Sequence, residues 1–240
     1  MALPQVNASR YTTVIPCTQI IIEFRPFLVK EEKLLMVALE SKDQKLVVRT
    51  LKDVVDSCTF GKVDVNDLAA FDLEYLFLQL RAKSVGETAK IAVKCENCDT
   101  NMNHNVVLED IKIDMPKDDK IVMLSDSVGL KFKYPSVSDM DKLQFEDIDD
   151  MKPEQQLAVT EALILISLDN IFDDDEVHAV ENYTEDELVD FIGGLNAEQF
   201  TKITAWFSNM PALKHNLKWD CKNCGHKNDI EIRGLQSFFT

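Results

Sequence analysis

Apolar positions along the chain change period several times, and each change marks an element. Residues 1–18 read as an irregular or extended arm, because Pro4 and Pro16 interrupt any helix. Gln19-Ile20-Ile21-Ile22-Glu23-Phe24 is rich in β-branched residues and predicts a strand, ended by Arg25-Pro26-Phe27. Lys30 to Ser41 is composed of good helix formers. From Gln44 to Ser57, with Cys58 just beyond, Val47, Val48, Leu51, Val54, Val55 and Cys58 recur at helical spacing and predict one buried stripe. Phe60-Gly61 stops it. A third helix is expected from about Asn66-Asp67 to Lys83, apolar on most sides and therefore central, with Gly86 just past its end. After strands near 88–109, Lys120–Leu124 and Val128–Tyr134 predict a hairpin around Ser125-Asp126-Ser127, closed by Pro135. The stretch from about 137 to 209 reads as helical. Within it Leu157 to Leu168 forms a dense apolar run that predicts a buried helix. Thr184 with Glu187, and Asn196 with Gln199, predict two capped helix starts.

Two short cysteine hooks sit between strand-like segments. Cys95-Glu96-Asn97-Cys98 lies between Lys90–Lys94 and Asn105–Leu108. Cys221-Lys222-Asn223-Cys224-Gly225 lies between Leu217–Trp219 and Asp229–Ile232. Two C-x-x-C turns supply the four soft ligands of a structural zinc ribbon, with Cys95, Cys98, Cys221 and Cys224 as the expected ligands. A redox C-x-x-C expects its second Cys inside a helix, whereas strand-like residues follow both turns. A closed four-thiolate site leaves no position for water, so it points to structure rather than catalysis. The 122 residues between Cys98 and Cys221 far exceed a ribbon gap of roughly 15–20 residues. They predict a folded insertion whose ends the metal clips together.

The fold class expected is α+β and mainly helical. It carries a zinc-ribbon-like β unit built from the two distant hairpins, with a large helical insertion between them. The expected segments are 1–87 (arm, strand and three helices), 88–110 with 213–236 (the ribbon-like unit), and 111–212 (a hairpin plus acidic helices).

Composition removes several function classes. The net charge of −16 belongs wholly to residues 139–190, where 18 Asp and Glu face 2 Lys, leaving 24 of each sign elsewhere. Such a surface repels phosphate, so nucleic acid is not an expected partner. The acidic face reads as plain solvation or as a site for a basic protein. No apolar run reaches the roughly 18 residues of a membrane span, and Met1–Arg10 lacks the basic-then-apolar pattern of a signal peptide. Cys17 and Cys58 lie among apolar neighbours and read as small buried hydrophobes. The run Asp173-Asp174-Asp175-Glu176 fails the calcium-loop pattern, since its sixth position is His178 and its twelfth Thr184. His104 and His226 each follow a hook and read as surface or supporting groups. No phosphate loop, G-x-S-x-G or H-E-x-x-H motif occurs, so no enzyme is expected.

The segments Phe24-Arg25-Pro26-Phe27-Leu28-Val29-Lys30-Glu31-Glu32-Lys33 through Ser41, and Phe71-Asp72-Leu73-Glu74-Tyr75 through Glu87, complete the picture. With the first C-x-x-C, they resemble the T4-type bacteriophage baseplate protein family, which includes the hub subunit and the hub-assembly protein of contractile-tailed phages. The resemblance implies a non-enzymatic role in the baseplate hub, partners among other hub or tail proteins, and residence in the virion tail after assembly in the host cytoplasm. The alternative reading is a zinc-ribbon regulator or adaptor that binds host transcription machinery or nucleic acid. Arg25, Pro26, Phe27, Lys30 and Glu31 form a mixed-charge corner at a strand-to-helix junction. It reads either as a docking surface or as core aromatics beside helix-capping charges.

Overall fold

The computed structural model describes residues 8–41, 43–116, 120–143 and 152–235. The chain divides into two compact units: Met1–Met115 with Pro211–Thr240, and Pro116–Met210. Among the described residues the fold mixes seven α-helices with four small antiparallel sheets.

The first unit opens on a hairpin. Strand β1 (Tyr11–Val14) pairs antiparallel with β2 (Ile21–Phe24), with Tyr11 opposite Phe24 and Val14 opposite Ile21. The arm expected to be irregular therefore contributes a strand. Pro16 falls in the turn that follows, where a missing N–H costs the ladder nothing. Helix α1 (Val29–Ser41) follows the Arg25-Pro26 break, and α2 (Gln44–Cys58) is capped by Asp43, whose carboxylate accepts from the Lys45 and Leu46 N–H groups. Along α2, Thr50, Val54, Val55 and Cys58 are buried and Val47 and Leu51 half-buried. Val48 is the exception to the expected stripe, because it lies on the exposed side of the helix. Helix α3 (Ala70–Ser84) starts later than its sequence suggests, after turns at Asp64 and Asn66, and it is the centre of this unit. Phe71, Leu73, Leu76, Phe77, Leu78 and Leu80 are all buried.

Two hairpins complete the unit. Strand β3 (Thr88–Lys94) pairs with β4 (Asn101–Val107). Beyond it, β5 (Lys112–Ile113) precedes the second unit; after that unit come β10 (Leu213–Asp220) and β11 (Lys227–Arg233). β11, β10 and β5 form a three-stranded sheet. The chain thus leaves this unit on β5 and re-enters it on β10, with Ile113 opposite Leu213.

The second unit holds a four-stranded sheet in the order β6 (Ile121–Met123), β7 (Gly129–Phe132), β8 (Leu168–Phe172), β9 (Val177–Ala179), and the helices α4 (Val137–Lys142), α5 (Pro153–Ser167), α6 (Glu185–Gly193) and α7 (Ala197–Ser208). Leu130, Phe132, Ile164 and Ile203 are fully buried, and Phe132 stacks on Trp206 at a centroid distance of 4.6 Å. Gly129 has no side chain because the Phe172 ring of the neighbouring strand fills that space.

Two expectations fail here. The stretch 137–209 is not all helix, since β8 and β9 interrupt it. The apolar run does not end the helix by its period; α5 stops at Ser167, and the run continues into β8 at Leu168. Nor is α5 buried throughout: within the helix Ile164 and Ser167 are buried, while Leu157 is exposed. The Asp173–Glu176 run is the β8–β9 turn, where the Asp173 carboxylate accepts from the Asp175 and Glu176 N–H groups at 2.9 and 2.8 Å. Both predicted capping boxes are present at Thr184 and Asn196. Part of the acidic segment, residues 144–151, lies outside the described residues.

Candidate metal centre

Each cysteine hook is a six-residue loop closing a hairpin, bounded by the pairs Lys94–Asn101 and Asp220–Lys227. The two loops are built alike. The first Cys N–H donates to the carbonyl five residues on (Cys95 to Thr100, 3.0 Å; Cys221 to His226, 2.8 Å). The residue after the second Cys donates back to the first Cys carbonyl (Asp99 to Cys95, 2.9 Å; Gly225 to Cys221, 2.8 Å). Both turns need a left-handed backbone at that residue, φ 54° at Asp99 and 73° at Gly225. This geometry turns both sulfurs of a hook to the same side.

The four sulfurs of Cys95, Cys98, Cys221 and Cys224 all lie within 4.8 Å of one another. The Cys95–Cys224 and Cys98–Cys221 Sγ separations are both 3.7 Å. Four sulfurs at the corners of a tetrahedron about 2.3 Å from a zinc ion stand about 3.8 Å apart, so the donor set and its spacing fit that ion. All six cysteines are free thiols. The first Cys of each hook is buried, while Cys98 is half-buried and Cys224 exposed.

Polar groups from both hairpins support the sulfurs. The Asn223 amide donates to Cys98 Sγ at 3.6 Å and to Thr100 Oγ1 at 3.1 Å, and Thr100 Oγ1 stands 3.2 Å from Cys98 Sγ. Hydrogen bonds from Thr100, then Asn223, pull the Cys98 thiol down to about 6. The Cys224 and Asn223 N–H groups favour a Cys221 thiolate, yet burial and the adjacent thiols push Cys221 up to about 11. A cation bound by these sulfurs would reverse that repulsion and hold all four as thiolates. Asn228 is buried and ties the hooks together: its side-chain oxygen accepts from the Glu96 N–H at 2.9 Å, and its amide donates to the His226 carbonyl at 3.2 Å.

Sequence reasoning missed Thr100, Asn223 and Asn228 as supporting groups. The signal available was the Asn at the third position of both hooks, but only the folded chain shows Asn223 reaching across to the other hairpin. His226 contributes its carbonyl, and its ring is not among the clustered ligand atoms. The His104 ring packs against Trp219 at 4.9 Å, with His104 Nε2 and Trp219 Nε1 both buried and without a partner among the described residues.

The corner singled out at the β2–α1 junction is internally joined. Arg25 makes a two-pronged ion pair with Glu31, at 2.8 and 3.3 Å, and also donates to Ser57 Oγ at 3.0 Å. Glu31 is buried; burial works to raise its carboxyl, but Arg25, the Leu28 N–H and Ser57 hold it down to about 2. The Phe27 ring stacks on Phe77 at 6.4 Å, and its N–H donates to Ser84 Oγ. Pro26 is half-buried and its carbonyl accepts from Arg25, while Lys30 is exposed with its ammonium 3.6 Å from Glu31.

Among the described residues, no helix is long and apolar enough to cross a membrane. No curated protein and no solved structure matches the chain. A family model described as T4 bacteriophage base plate protein matches residues 8–240, which is nearly the whole chain. The match takes in both hooks and both compact units, and the chain therefore belongs to the family of T4-type phage baseplate proteins.

Proposed function

We propose that the protein is a non-enzymatic structural or assembly component of the baseplate hub, held together by one structural zinc ion on Cys95, Cys98, Cys221 and Cys224. The family match over residues 8–240 carries the baseplate reading, and the family implies a tail location and contact with other tail proteins. The hub assignment rests on the sequence likeness of the first hundred residues. The zinc assignment is supported by four thiol sulfurs within 4.8 Å of one another, two pairs of them 3.7 Å apart, near the separation a tetrahedral zinc sets. In this reading the ion clamps the ribbon-like hairpins, 88–110 with 213–236, at the two ends of the intervening segment 111–212. The protein meets its neighbours in the host cytoplasm during assembly, and as a structural subunit it would remain with the tail.

The experiment is fractionation of infected cells with an antibody to this chain, together with elemental analysis of the purified protein. Co-purification with mature tails marks a structural subunit. Presence only with hub precursors marks an assembly factor. Absence from both overturns the reading. Close to one zinc per chain is expected, and a metal-free protein with an undiminished melting temperature refutes the ion.

A further inference from the structure

Helix α1 rests on α2 with few residues: Glu31, Leu35 and Ala38 are buried. The opposite side is not the polar face that an outermost helix normally presents. Val29, Met36 and Val37 fall on it, at 65%, 55% and 62% exposure. Spaced i, i+7 and i+8, they make one outward apolar stripe.

The charges around this stripe are arranged in reverse order about its middle. Take a two-fold axis between Met36 and Val37, and lay a second α1 antiparallel on the first. Lys33 then faces the other copy's Glu40, and Met36 meets Val37 at the centre. Lys33 and Glu40 are both exposed. Among the described residues neither Lys33 nor Glu40 has an ion-pair partner. A parallel arrangement would set Lys33 on Lys33. Within a single copy these outer-face charges also run against the helix dipole, with Lys33 near its positive end and Glu40 near its negative end. An antiparallel partner helix turns each of these conflicts into an attraction.

We infer that the outer face of α1 is a self-complementary docking surface, and that its occupant is the α1 of a second copy of this chain, forming a two-fold symmetric pair. The apolar centre supplies the attraction, and the two flanking Lys33–Glu40 ion pairs set antiparallel register and make association fall with salt. The inference does not depend on the metal centre.

The test is analytical ultracentrifugation of the full chain, wild type and variants, at low and high salt. Wild type is expected to dimerise, more tightly at low salt. Lys33→Glu alone and Glu40→Lys alone are each expected to raise the dissociation constant at least about tenfold, because each makes two like-charge contacts. An equimolar mixture of these two variants is expected to recover dimer, since every pair across that heterodimer is again opposite in sign. Misfolding cannot produce such recovery. Met36→Asp is expected to be monomeric with unchanged thermal unfolding. A wild type that stays monomeric up to its solubility limit overturns the inference. So does a dimer indifferent to both reversals, a mixture that fails to recover, or an α1 face covered only by a different tail protein.

Discussion

Asp99 and Gly225 occupy the same place in the two hooks and adopt the same left-handed backbone. For Gly225 this conformation is free of strain; for Asp99 its Cβ makes it unfavourable, though a short polar side chain softens the cost. A Cβ added at Gly225 would meet nothing within 4 Å, so Gly225→Ala isolates the backbone term. It is expected to lower stability by about 1 kcal/mol. Asp99→Gly is expected to raise it by about 0.5 kcal/mol, the relief of strain less the entropy of a freer unfolded chain. Denaturant midpoints decide this, and effects of the same sign in both hooks would refute the matched geometry. Asp72 on α3 makes a different demand. It is fully buried, with one carboxylate oxygen accepting from the Cys17 N–H at 3.1 Å and the other without a partner among the described residues, and burial pushes its carboxyl up to about 6. A carboxyl raised on folding destabilises the native state where it is ionised, above pH 6, and does so progressively less as pH falls toward its ordinary value. Asp72→Asn keeps an oxygen for Cys17 and is expected to stabilise by about 2 kcal/mol at pH 8, a gain that vanishes near pH 4. An equal difference at both pH values would show that the buried charge is not the cause.

At the scale of elements, the hairpins matter because each presents two sulfurs from a six-residue loop, and losing one sulfur breaks the joint between hairpins. If the four sulfurs hold an ion as proposed, Cys221→Ser is expected to cost at least about 3 kcal/mol, since three remaining sulfurs would hold it poorly. Cys17→Ser is expected to cost less than about 1 kcal/mol, because its contact to Asp72 uses the backbone N–H, which serine keeps. Equal losses on thermal melting would undo the ligand assignment. The elements legible in the sequence were those with local signals. The two hook hairpins announced themselves by β-branched flanks around C-x-x-C, α2 by its apolar spacing, and α6 and α7 by capping boxes that depend on residues only three apart. What escaped depends on distant partners. Leu168 closes an apolar helical run, yet Leu168–Phe172 is strand β8 because β7 and β9 flank it, which no local period reveals. Thr100 and Asn223 are separated by 123 positions, so their contact at the sulfurs was invisible until the hairpins met. The β2–α1 corner was legible as chemistry, yet its two readings could be weighed only once Arg25 was seen gripping Glu31.

For the whole molecule, the decisive feature is that a second compact unit interrupts the first between β5 and β10. All four hook cysteines belong to the first unit, on either side of the interruption. An ion on them therefore closes a loop of more than a hundred residues, as a cross-link would, and by loop-closure entropy such a closure is worth about 4–5 kcal/mol. The pairing of Ile113 with Leu213 is too short a stem to replace it, being two residues on β5. The acidic excess of residues 139–190 lies wholly in the interrupting unit, so net charge does not oppose the closure within the first. Removing the metal should then loosen one unit and spare the other. With a strong chelator, amide exchange is expected to rise by an order of magnitude or more in β3, β4, β10 and β11. Exchange in β6, β7, β8 and β9, which are held by Leu130, Phe132 and Ile203 rather than by sulfur, is expected to stay unchanged. Exchange that rises equally in both units would mean that the ion stabilises the chain as one cooperative body. Exchange that rises in neither would mean that the sulfurs meet without an ion to hold them.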